Sequence, residues 1–115
     1  LQLSESRQSY VHQADLLLDE DVDPRAPGAA VTAALCGHWR HEGACRWPHN
    51  NEIDCATTPA MFRTLFVATP ADEAVVRKRI DAALATAHGW SMTSSRPRAV
   101  RDSEGALARR LVGDT

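Results

Sequence analysis

Lysine is almost missing from this chain. Its thirteen basic residues are twelve arginines and the single Lys78. Positive charge of the kind that advertises a polyanion partner is missing too. The formal net charge is −2 and the pI about 6.2, whereas nucleic-acid domains usually show a basic stripe or a pI above roughly 9. No nucleic-acid partner is expected. No apolar run approaches the length of about 18 residues that a spanning helix needs, which argues against a membrane role. The opening "LQLSESRQSY" lacks the basic patch and apolar core of a secretory signal. Three cysteines is an odd count, which argues against a secreted disulfide framework and makes a cytoplasmic protein with reduced thiols the expectation. Also lacking are a Gly-rich phosphate loop, a G-x-S-x-G elbow, a dinucleotide fingerprint and an H-E-x-x-H pair. The bias to Arg and Ala resembles a GC-rich bacterial coding sequence, which concerns origin and not function.

What is present suffices for one domain over 1–115: 115 residues, 43% of them apolar. Spacing of Leu3, Tyr10, Val11, Ala14, Leu17 and Leu18 predicts a helix over 3–18, with His12 exposed on it. An acidic, Pro/Gly-punctuated loop, "DEDVDPRAPG", follows. The 29–69 region reads as strands around a Cys/His/Trp-rich hairpin insert, beginning with "AAVTAALCGHW" and ending in "MFRTLFVAT". Phe62, Leu65, Phe66 and Val67 point to both faces of the second strand, which predicts a central position. Thr69 as a cap, Pro70 at the first position and Asp72 and Glu73 in the first turn predict a helix over 70–88. Its buried stripe is Val76, Ile80, Ala83, Leu84 and Ala87, with Arg77, Lys78 and Arg79 solvated, and Gly89 stops it. An edge strand over 90–100, weakened by Pro97, and a short helix over 103–112 complete the chain. The sum is an α+β fold. It should be a small two-layer sandwich, a mostly antiparallel sheet with helices on one face, in a ferredoxin-like or split βαβ arrangement.

Chemistry concentrates in "LCGHWRHEGACRWPHNNEIDC", which holds all three cysteines, three of the five histidines and two of the three tryptophans. Cysteine and neutral histidine are the usual zinc donors, but no C-x2-C knuckle is present. If Ala34–His41 and Ala44–His49 pair across a two-residue turn at Glu42-Gly43, then Cys36, His38 and His49 share a face. Opposed and diagonal side chains then lie about 4.5–8 Å apart, close enough to share an ion. Cys45 would fall about 13 Å along from Cys36, outside both the site and disulfide reach. A three-residue loop instead sends Cys36 and His38 to the face opposite His49, and the site dissolves. Cys55 or water would complete the set, as a structural or a hydrolytic centre respectively. In the plainer alternative Cys36 is a small buried hydrophobe and Trp39 and Trp47 stack across the hairpin or over Arg40 and Arg46.

Two functions follow. The first is an interaction or ligand-binding module, with Trp39, Arg40, Arg46 and Trp47 as anchors, since aromatic and Arg side chains carry most binding energy at such surfaces. Its partner would be a protein or a small molecule, and edge strands would also allow a homodimer. The second is a zinc domain built from Cys36, His38, His49 and Cys55. Separately, Arg96, Arg98 and Arg101 are spaced to clamp a phosphate or carboxylate, or to guard a sheet edge. No catalytic residue is assigned.

Overall fold

A computed structural model describes residues 6–36, 46–86 and 88–113. Along the chain these form β1 (Gln8–Leu18), α1 (Ala26–Cys36), β2 (His49–Asp54), β3 (Ala60–Ala68), α2 (Glu73–Thr86), β4 (Trp90–Arg98) and α3 (Gly105–Gly113). Short 3-10 turns, Pro70–Asp72 and Asp102–Glu104, lead into α2 and α3. The four strands make one sheet in the order β2-β3-β1-β4, and every neighbouring pair is antiparallel. β1 and β2 therefore run parallel with β3 between them, and β3 and β4 run parallel with β1 between them. Two interlocked split βαβ units result, the ferredoxin-like arrangement of an α+β domain.

α1 and α2 cover one face of the sheet. Beneath them lie Ala14, Leu16, Phe62, Phe66 and Trp90 from the strands, Val31 and Leu35 from α1, and Val76, Ile80 and Leu84 from α2. α3 packs on the other face, where Ala108 meets Val11 and Leu65. The two central strands are thus buried on both sides at one end of the sheet. That explains why β3 is a nearly unbroken apolar run, as its sequence predicts.

The same double burial hides β1, and the helix expected over 3–18 is a strand from Gln8 onward. Val11, His12, Gln13 and Ala14 are consecutive and all buried. A strand covered on both faces loses its period of two, and the remaining apolar positions then happened to match a helical stripe. The strand expected from Ala29 is instead α1. Its buried residues, Pro27, Val31 and Leu35, recur every four positions, and alanines fill most of the remainder. Ala34–Cys36 being helical, the opposed-pair geometry that set Cys36 across from His49 has no basis. Residues 37–45, with His38, Trp39, Arg40 and the turn at Glu42-Gly43, lie outside the described residues.

α2, β4 and α3 fall where the sequence places them. Gly89, after α2, has φ +110°, and a Cβ there would sit 2.7 Å from Val22 Cγ2. Only glycine fits. β4 lies at a sheet edge with Pro97 in it, and the register with β1 shifts between Asp15 and Leu16.

Candidate functional site

On the sheet face that carries α3, cross-strand pairing sets side chains in three rows. The first is Arg98–Val11–Leu65–Asn50, whose centre, Val11 and Leu65, lies under α3. The second is Arg96–Gln13–Arg63–Glu52, and the third is Ser94–Asp15–Met61–Asp54. Directly paired residues share a face, so each row is a line of neighbours. The first row has an apolar centre because α3 covers it. The second is polar, and so is the third apart from Met61.

Arg63 is the centre of the second row and is only 4% exposed. A guanidinium in that position needs acceptors, and it has them. Nε and Nη2 donate to the two carboxylate oxygens of Glu104 at 3.1 and 2.7 Å, Nη1 to Gln13 Oε1 at 2.8 Å, and Nη2 to the Ala99 carbonyl at 3.3 Å. The fork-on-fork pair is the strong form of such a contact. Hydrogen bonding by Arg63 holds the Glu104 carboxyl below its ordinary range, against an opposing contribution from burial. Glu104 Oε1 also accepts from the Arg101 backbone N–H at 2.8 Å. Arg63 thereby ties the segment leading into α3 onto the sheet.

Three clefts open around this pair of residues, and Arg63 and Arg101 line each of them. One, of about 420 Å³, lies toward β4 and is bounded by Gln13, Met61, Arg63, Arg98, Ala99 and Arg101. A second, of about 320 Å³, lies toward β2 and includes Glu52, Asp54 and Cys55. Arg101 lies between them, its Nη2 3.5 Å from Met61 Sδ. Arg96 is engaged elsewhere, at 3.4 Å from Asp15 Oδ2 and 2.7 Å from Ser94 Oγ. Of the arginine triplet spaced for a clamp, the structure brings Arg98 and Arg101 to one cleft and pairs off Arg96.

The cysteine- and histidine-rich stretch has a different character in its described part. Trp47, expected as a surface anchor, is 3% exposed. The guanidinium groups of Arg46 and Arg79 lie over its indole, 4.7 and 5.1 Å from the ring centroid, and its Nε1 donates to Asp72 at 3.2 Å. Arg46 is exposed and sits 3.5 Å from Asp72. His49 Nδ1 is 3.0 Å from the Trp47 carbonyl and Nε2 is 2.9 Å from Thr32 Oγ1, so both ring nitrogens are in hydrogen bonds. Asn51 continues this network, donating to Gly28 O and Thr32 Oγ1 and accepting from Thr64 Oγ1. Cys36 is disulfide-bonded, its partner lying outside the described residues, and its sulfur is not a thiolate donor in that state. Cys55 is free and exposed. Among the described residues, no group of three or more Cys, His, Asp or Glu side chains is placed to hold a metal ion.

Sequence reasoning missed Arg63 and His12. The signal for Arg63 was its place inside "MFRTLFV", a run that buries both faces and so demands a partner for any charge it carries. His12, expected to be exposed, is 4% exposed, and Arg77, expected to be solvated, packs against it. His12 Nε2 is 2.8 Å from Asp81 Oδ1 and Nδ1 is 3.1 Å from Arg77 Nη1. Arg77 also pairs with Glu73 and donates to the Val11 carbonyl. Glu73, Arg77 and Asp81 stand four residues apart on α2 and grip β1 from above. This cluster lies under a helix and fastens the layers together.

Fold and site together define a ferredoxin-like α+β domain with a polar, arginine-bordered basin on its second sheet face. No protein-family model matches the chain, and no curated protein or solved structure shows significant similarity to it.

Proposed function

We propose that this protein is a ligand-binding module whose ligand seats in the basin around Arg63 and Arg101. The observation that carries the reading is the convergence of three clefts on those two residues, over a floor that cannot shift cheaply. Gln13 and Arg63 are both buried and bonded to each other, so the floor is rigid and polar at once. A concave site with a few fixed polar groups is the usual form of a small-molecule site.

A fragment screen followed by amide NMR shifts tests the reading. Hits should perturb Gln13, Met61, Ala99 and Arg101 together. Hits confined to other surfaces would overturn it.

The zinc alternative, at Cys36, His38, His49 and Cys55, draws no support from the described geometry, since Cys36 and both nitrogens of His49 are already bonded. Metal analysis of tag-free protein decides it: one equivalent of zinc, lost in His49→Ala, would restore it. The bonded Cys36 also favours an oxidising compartment over the cytoplasmic one expected from the cysteine count. No helix among the described residues is long and apolar enough to cross a membrane.

A further inference from the structure

We infer that the β4-side cleft takes an oxyanion, a carboxylate or phosphate borne by a small organic ligand. This rests on the binding reading above and names the chemistry of its site. Three arginines, one amide and one thioether line the cleft, and no carboxylate does among the described residues. The three guanidinium groups are not equivalent. Arg63 has its charge met by Glu104 and its donors taken, so it shapes the floor.

Arg98 and Arg101 supply the charge available to a ligand: among the described residues neither guanidinium is in an ion pair, although Arg101 also lies in the field of the Glu104 carboxylate. Arg98 is exposed, and its side chain makes no hydrogen bond or ion pair among the described residues. The Arg101 guanidinium rests on Met61 Sδ at 3.5 Å, and a thioether is a weak acceptor. An anion is a far better partner for that donor set, and Arg offers the planar fork that carboxylate and phosphate match. Gln13 adds a neutral donor, because its Oε1 accepts from Arg63 and leaves its NH2 group available. Met61 is the apolar surface against which the carbon part of a ligand would lie. Arg96, one position along the same face, is by contrast neutralised by Asp15. The adjoining cleft carries Glu52 and Asp54, which repel an anion and confine it to the β4 side.

The test is an NMR titration of the full 15N-labelled chain with inorganic phosphate, succinate and neutral 1,4-butanediol, reading Arg Nε–Hε and backbone signals. Phosphate or succinate should shift Gln13, Met61, Ala99 and the Arg98 and Arg101 side chains saturably. Tighter phosphate binding marks a phosphoryl ligand, and tighter succinate binding a carboxylate one. The double variant Arg98→Gln/Arg101→Gln should weaken binding about tenfold, the scale of one or two charge-assisted contacts, with Lys78→Gln unchanged as a control for general charge. Equal weakening in Lys78→Gln would overturn the inference. Butanediol binding as well as succinate would overturn it while leaving the cleft a binding site. Failure of all three probes and of neutral fragments to shift the cleft would overturn both.

Discussion

At the scale of single residues, two histidines are committed to opposite tautomers. Arginine has no acceptor, so Arg77 must donate to His12 Nδ1, and His12 carries its proton on Nε2 facing Asp81. A carbonyl has no donor, so His49 must donate from Nδ1 to Trp47 O, leaving Nε2 to accept from Thr32. Long-range 1H–15N spectra near neutral pH should therefore show an Nε2–H tautomer for His12 and an Nδ1–H tautomer for His49. The same tautomer at both would contradict the network. Gly89 offers a second check. Alanine there meets both an unfavourable positive φ and the Val22 methyl, and should destabilise the protein by about 1–3 kcal/mol in urea unfolding. The glycine stop was legible from its place behind "ALATAH", but the role of His12 was not. Its partners come from residues 65 and 69 positions away, which no local spacing reports.

At the scale of elements, legibility depended on how each element is covered. α2 announces itself because it has one buried stripe and a start with Pro70 and acidic residues in the first turn, although Thr69, expected as its cap, makes no side-chain cap bond. β3 announces itself because its run is too apolar and too short to be anything but a central strand. β1 and α1 exchange identities for one shared reason. A strand buried on both faces and an alanine-rich helix both lack the contrast between faces that periodicity needs.

The turn leading into α3 is clasped to the sheet by the Arg63–Glu104 pair, and that clasp is pH-dependent. The Glu104 carboxyl is held below its ordinary value of 4.5, so its contribution is complete above that value and lost as pH falls through the lowered one. Amide protection factors in Gly105–Gly113, taken against the intrinsic exchange rate at each pH, should fall on acidification before those in β3 do, and Glu104→Gln should remove that dependence. Removing one partner of so buried a pair, as in Glu104→Ala, should cost about 3–5 kcal/mol. Arg63→Met combined with Glu104→Leu should recover much of that, which a double-mutant cycle would show.

At the scale of the whole molecule, the cysteine chemistry gives a direct count. With Cys36 bonded and Cys55 free and exposed, native protein should react with about one equivalent of thiol reagent, rising to three after reduction in denaturant. Reduction should lower stability by roughly 2–4 kcal/mol, the typical contribution of a disulfide. Three reactive thiols without reduction would contradict the bonded state.

The Arg63–Glu104 contact has one more consequence, for where the chain can be cut. α3 and the turn before it look dispensable, a short helix hung on a sheet that already has two others. Yet Glu104 is the counter-ion to a guanidinium sealed between strands, 41 residues earlier in the chain. A ribosome that has released β4 but not Glu104 holds a nascent sheet with an unanswered charge at its centre. Folding of this domain should therefore wait until Glu104 has emerged, and a fragment ending at Arg101 should stay soluble only as a loosened, partly unfolded species.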